Sequence, residues 1–464
     1  MKMKLNQSKL KFILLCALSV SALNVFAEYK VVTSSTTESN QSYNDSDPTL
    51  SALNVTTSGV TYTGTNITLS VINDSASGAI YGKGAYVNNA SLSLTGGSIS
   101  TFGRIGTGVF LAASSGALND VTIKTEGYGG NGVYANTNST LMLTGGVIST
   151  SASTAHGIYI TNTSSGTLNN VNIKTEGYGA AGIIAVNNST LMLTGGTIRT
   201  SGIYGYGLQV DYGSSATVSG VNIATTGNQG YAVMVSGTST LTLSDSDISV
   251  TGNNTNALYT QNRGTATVNL NHNTITGNII ASGTSSLTIT GSNGTVLTGI
   301  VSVITGGTIA ITLSDAGTKL IGNFTRDANA TSEITLTLGA GSLFRGAGTL
   351  DNLTLESGAI LGYAGNVLLV TDSITIGDGI IIDFSSLTET GNYQVLDWSG
   401  ATITGGTISE DQFTATNLDE SLQGSFSVEG SQLTFNASAV PEPSTYFLIG
   451  AGLGALALIR RRSS

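Results

Sequence analysis

Apolar positions alternate with short polar ones over most of this chain. In Thr140-Leu141-Met142-Leu143-Thr144, Leu141 and Leu143 share one face of an extended strand and the flanking threonines take the other. The pattern returns at a fixed interval. Asn138 to Gly146 recurs as Asn188 to Gly196, 50 residues later, and Ile123 to Gly129 recurs as Ile173 to Gly179. The unit of 50 divides into two of 25, because apolar residues recur at that step in three separate series. The first is Leu118, Leu143, Leu168, Leu193, Val218, Leu243 and Val268. A second is Ile123, Ile148, Ile173, Ile198, Ile223 and Ile248, and a third is Val133, Ile158, Ile183, Leu208, Val233 and Leu258. Between the runs come Gly-Gly, Asn-Asn-Ser and Ser-Ser-Gly, which form turns. A helix needs apolar residues at three- and four-residue spacing, which these runs lack.

Three series predict three strands per coil of about 25 residues, with equivalent positions meeting at about 4.8 Å when each coil returns one strand spacing higher. The expected fold is all-β, a right-handed parallel β-helix, since parallel crossovers take that hand. Eight or so coils between Gly84 and Gly277 would rise roughly 40 Å. Beyond about residue 280 the period loosens, although Thr308 to Leu313 and Ile334 to Leu338 keep the alternation to about residue 365. The solenoid is therefore expected over residues 61–365. An open end of such a stack invites pairing with other chains. Residues 28–60, polar and holding Pro48, are expected to cap one end, and residues 366–439, with Ile380-Ile381-Ile382 and Trp398, to form a non-repeating β cap at the other.

The termini differ from this body. Residues 1–27 carry Lys2, Lys4, Lys9 and Lys11, then an apolar run, then Val25-Phe26-Ala27, which is the pattern of a secretory signal peptide cut after Ala27. Cys16, the single cysteine, lies within that apolar run after Ile13-Leu14-Leu15, so the mature chain has no thiol for disulfide or thiolate chemistry. Its stability must come from burial and hydrogen bonds. Residues 440–464 read Val440-Pro441-Glu442-Pro443-Ser444, an apolar stretch from Tyr446 to Ile459, and Arg460-Arg461-Arg462. This closely resembles the PEP-CTERM sorting signal of Gram-negative bacteria, and the resemblance implies processing by an exosortase after export through the Sec machinery. The apolar stretch reaches about 21 Å at about 1.5 Å per residue, short of the roughly 30 Å bilayer core. A transient transmembrane stop fits it better than a permanent span; an uncut C-terminal anchor is the alternative. The arginines would stay on the cytoplasmic side.

The repeats resemble autotransporter adhesin passengers and, more distantly, pectate-lyase-like β-helices. The resemblance is one of pattern. It departs at the C-terminus, where an autotransporter has a membrane barrel and this chain has the sorting tail.

Charge narrows the partners. Only 9% of residues are charged and the net charge is −10. Removing both end segments leaves 10 basic and 26 acidic residues, near −16, which disfavours nucleic acid. His156 and His272 lie far apart without a cysteine or carboxylate cluster and are expected at surface turns. Gly127 to Gly132 and Gly177 to Gly182 match G-x-G-x-x-G, but each leads into a strand where a nucleotide site needs a helix. Asp245 and Asp247 are either a solvated turn or a calcium or acid-base pair. The best surface for a ligand in this pattern is an outward strip of Lys124, Lys174 and Arg199 with Glu126 and Glu176, beside Tyr128 and Tyr178. It suits a glycan or matrix contact, or else a charge ladder that keeps a flat sheet soluble.

These features predict an exported protein with an adhesin-like or structural role at the envelope, outer surface or extracellular matrix, in contact with exopolysaccharide or surface glycans. No catalytic residue, metal or cofactor is expected. A polysaccharide lyase or glycoside hydrolase on the same fold is the alternative.

Overall fold

A computed structural model of the chain describes residues 29–45, 50–72, 82–328 and 331–440. The expected signal peptide with Ala27, and Pro441, Glu442, Pro443, Ser444, Arg460, Arg461 and Arg462 of the sorting tail, lie outside the described residues. Among the described residues no helix is long and apolar enough to cross a membrane. The fold is all-β, a right-handed parallel β-solenoid. It divides into two compact units, one running to Tyr259 with Arg263–Thr265, the other comprising Thr260–Asn262 and the chain from Ala266.

In the first unit the three apolar series become three continuous inner stacks. Leu118, Leu143, Leu168, Leu193, Val218 and Leu243 are successive partners in parallel register. So are Ile123, Ile148, Ile173, Ile198, Ile223 and Ile248. The third stack runs Val133, Ile158, Ile183, Leu208 and Val233. These side chains are buried, and each contributes about 1.5–3 kcal/mol relative to exposure.

Two polar ladders stand inside the same coils. Two residues after the stacked isoleucines Ile99, Ile123 and Ile148 a threonine also points inward, and its hydroxyl donates to a carbonyl of the turn that follows: Thr101 to Gly106 at 2.6 Å, Thr125 to Gly130 at 2.7 Å and Thr150 to Ala155 at 2.6 Å. At another corner serine hydroxyls accept a backbone N–H from the previous coil, as Ser164 does from Ser139 at 3.0 Å and Ser214 from Ser189 at 3.1 Å. These bonds satisfy buried polar groups that would otherwise cost about 1–3 kcal/mol each. Gly132, Gly157 and Gly182 mark a close approach of successive coils. A Cβ on Gly157 would lie 2.5 Å from the Gly182 carbonyl oxygen and 2.5 Å from Ile173 Cγ2.

The expected caps are drawn differently. Residues 28–60 contain strands Lys30–Val32, Thr36–Ser39 and Ser42–Asp45, which pair in parallel with Leu53–Val55 and Thr61–Val71. Residues 30–45 thus form the first described coil of the stack, and Leu53–Val55 already belongs to the next. The low apolar content of that first coil had hidden this, because a terminal coil faces solvent on one side. Its interior is filled by a polar cluster: Glu38 meets Lys30 Nζ at 2.7 Å, accepts the Tyr62 hydroxyl at 3.0 Å and also accepts that of Tyr43. Burial raises the Glu38 carboxyl, but these three partners outweigh it and hold the group below the usual carboxylate range.

In the second unit pairing stays parallel while coil length varies. Ile279 pairs with Val301, 22 residues on; Ile311 pairs with Leu336, 25 on; and Leu336 pairs with Leu353, 17 on. The loosened sequence period is this change of turn length. Parallel pairing continues beyond residue 366, through Leu368–Ile376, Ile380–Asp383 and Phe413–Thr416. Among the described residues, antiparallel pairing joins Gly391–Asp397, Leu422–Glu429 and Gln432–Ala439. Phe384 is fully buried beneath this closure, its ring 4.3 Å from that of Phe435.

Candidate functional site

The residue after each member of the third stack points outward, since strand side chains alternate. In four consecutive coils of the first unit that residue is aromatic. Tyr86, Phe110, Tyr134 and Tyr159 are partners in register, with ring centroids separated by 5.5, 4.9 and 5.2 Å. Their interplanar angles of 50°, 51° and 41° make a tilted row along the stacking direction. The row floors a groove of about 470 Å³, a size usual for ligand sites.

One wall comes from the preceding turn, again in register from coil to coil: Thr107, Asn131 and His156. Ile105 and Thr154 complete that side. At one end Lys83 lies with its Nζ 4.9 Å from the Tyr86 ring centroid and 5.2 Å from that of Phe110, a cation held against aromatic faces, and burial pushes its pKa down. At the other end Tyr159 and Tyr206 pack over the buried Ala181, Ile184 and Val186.

The wall residues are oriented by the backbone of the next coil. Asn131 Oδ1 accepts the His156 backbone N–H at 3.0 Å, and His156 Nδ1 accepts the Ala181 backbone N–H at 3.0 Å. An accepting Nδ1 carries no proton, so the neutral ring holds its proton on Nε2. Desolvation lowers the His156 pKa to about 4, which keeps the ring neutral at ordinary pH. The phenols of Tyr134 and Tyr159 are pushed up, first by burial and then by the neighbouring tyrosines. The groove therefore offers ring faces and neutral hydrogen-bonding groups, and none of its lining residues is a carboxylate.

His156 was expected at a surface turn. It is instead partly buried in the groove wall, its ring 5.6 Å from that of Tyr159 and its Nδ1 held by the Ala181 backbone N–H of the next coil. His272 is an exposed turn residue with φ of 63°. The aromatic row is legible as Tyr86, Phe110, Tyr134 and Tyr159 at steps of 24 and 25, but a search confined to inward apolar series passes over it.

The Lys124, Lys174 and Arg199 strip lies on the second strand of the coil, away from the groove. Ser149 stands between Lys124 and Lys174 in register, while Arg199 follows Lys174 directly. Lys124 pairs with Glu126 and Lys174 with Glu176, two residues along the same strand and largely exposed. Such pairs are worth at most about 1 kcal/mol. Tyr128 sits beneath Arg104, whose guanidinium carbon is 5.4 Å from its ring centroid, and Tyr178 meets Tyr204 edge-on at 5.4 Å. Both G-x-G-x-x-G turns open strands, Val133–Asn136 and Ile183–Ala185. Asp245 occupies a left-handed turn position with φ of 48°. Among the described residues no group of three or more His, Cys, Asp or Glu is placed to hold a metal.

Comparison with known proteins adds two matches to family models. Residues 107–272 match a right-handed beta helix region, and residues 439–463 match the PEP-CTERM protein-sorting motif. The chain thus joins a β-helix body to a sorting signal that marks it for export, exosortase processing and association with the bacterial cell surface. Ala439 and Val440, the described residues at the head of this motif, are both exposed. No curated protein matches the chain. Among solved structures it is similar to a chain of the cryo-EM structure of the Vag8-C1 inhibitor complex, at 14% identity and a TM-score of 0.46, over 83% of this chain and 100% of that one.

Proposed function

We propose that this exported β-helix protein is a non-catalytic, adhesin-like component of the outer surface or extracellular matrix of a Gram-negative bacterium, and that its groove is a contact site. The observation that carries this reading is the chemistry of the groove lining. Hydrolysis of a glycosidic bond calls for two carboxylates across the scissile bond, and the groove is built from tyrosines, a phenylalanine, an asparagine, threonines and a neutral histidine. A surface that holds a ligand without turning it over needs no more than ring faces and fixed hydrogen-bonding groups. The Lys124, Glu126, Lys174, Glu176 and Arg199 strip, exposed on another face, is a second place where a matrix glycan would touch.

Two measurements test the proposal. In a host with an exosortase, mass spectrometry of the mature chain should find residues 1–27 absent, a new C-terminus near Pro441, and the protein at the surface or in the medium. An intact tail retained in the inner membrane would make the chain a membrane-anchored protein instead. Incubation with a polysaccharide panel should release neither reducing ends nor unsaturated uronates. Steady product release would replace the adhesin reading with the lyase or hydrolase reading.

A further inference from the structure

We infer that the aromatic groove of the first unit binds a neutral, linear polysaccharide laid along the stacking direction of the coils, with its sugar rings on Tyr134 and Tyr159. This rests on the contact role proposed above and names its ligand class. Three observations on the groove select that class.

The first is the floor. Pyranose rings present flat C–H faces with hydroxyl and ether oxygens at their rims, and aromatic side chains combine apolar area with specific face geometry. A row of tilted rings about 5 Å apart along the floor of a groove offers apolar ring surface to successive units of a chain. The second is the wall. Asn131 and His156 both spend their acceptor atoms on backbone N–H groups of the next coil, which leaves the Asn131 amide N–H groups and the His156 Nε2–H as donors. A wall of fixed donors above a ring floor fits the oxygen-rich rim of a sugar.

The third is charge. The groove's cation, Lys83, lies on Tyr86 and Phe110, and the remaining lining groups are neutral, while the whole chain carries −10. An acidic polymer would approach against the protein's field and meet a single lysine at one end. An extended peptide is disfavoured for a different reason. Peptides that add to sheets use an unpaired strand edge, and the strands beneath this groove are already paired on both sides, Tyr134 with Phe110 and with Tyr159.

The test is calorimetric titration of the secreted mature protein with hexasaccharides of β-glucan and xylan as neutral probes and with hexagalacturonate as the acidic one, at about 50 and about 500 mM salt. The expected result is binding of at least one neutral hexasaccharide with little change between the two salts, and weaker or absent binding of hexagalacturonate. Tyr134→Ala and Tyr159→Ala should each weaken binding by about tenfold or more. Tyr134→Phe, which keeps the ring, should lose much less, and Tyr231→Ala, outside the groove, should bind normally. Thermal melts of each variant separate lost binding from lost folding, and Tyr134→Phe keeps the test decisive if an alanine variant does not fold. Salt-sensitive binding that favours hexagalacturonate would overturn the inference, as would neutral binding that survives both alanine substitutions. Absence of any hexasaccharide binding by a protein that still attaches cells to a surface would overturn the glycan assignment and leave the adhesin reading standing. Binding followed by cleavage would overturn the adhesin reading and keep the groove as a sugar site.

Discussion

At the scale of single residues, the groove wall shows one column of the repeat carrying different side chains to the same end. Asn131 and His156 occupy equivalent positions, and each accepts a backbone N–H from the following coil. The histidine does this with a titratable atom. Its folded pKa is depressed to about 4 against an ordinary 6.5, so the unfolded chain takes up the proton first as pH falls. The stabilisation is complete above about pH 6.5 and is lost progressively down to about pH 4, by as much as about 3 kcal/mol. His156→Asn should keep the bond to Ala181, as Asn131 makes its own, and flatten the fall in stability over that range. Chemical unfolding midpoints at about pH 7 and pH 4.5 check this; equal pH sensitivity in both proteins would place the titrating group elsewhere. Glu38 adds a change of the same sign at lower pH, since its depressed carboxyl pKa makes its contribution one that is lost on acidification.

At the scale of the coil, stability follows the inner stacks and is indifferent to much of the outer face. Ile173 is 1% exposed, between Ile148 and Ile198, and Ile173→Ala should cost about 2–5 kcal/mol because close packing prevents collapse of the cavity. Met192, 53% exposed on the opposite face of its strand, should tolerate alanine within about 0.5 kcal/mol. The two unfolding midpoints decide the matter, and similar shifts for both would mean that the stacks do not dominate. The coil's alternation and turn residues made these elements legible in advance. The first coil, with Glu38 in its interior, was not, because its core is polar.

At the scale of the whole molecule, each unit must deal with backbone groups that have no further coil to pair with. The second unit does so with the antiparallel segments Gly391–Asp397, Leu422–Glu429 and Gln432–Ala439, which cover Phe384. A chain ending at residue 390 should expose that ring and the last parallel edge, and should associate in solution where the full mature chain stays monodisperse. Sedimentation velocity on both proteins checks this, and a monomeric truncated chain would show that the closing segments are not needed to protect the end.

The 25-residue spacing by itself determined the coil, its three strands and the three apolar stacks of the first unit, because residues that recur at one interval must superpose when strands stack in parallel register. The C-terminal motif likewise marked the chain for export and cell-surface association, since sorting signals are read from local sequence. Tertiary structure alone decided where chemistry gathers. Outward positions are under no common packing constraint, so Tyr86, Phe110, Tyr134 and Tyr159 become a site only when the coils superpose them. His156 becomes part of it because superposed turns set Thr107, Asn131 and His156 along one wall.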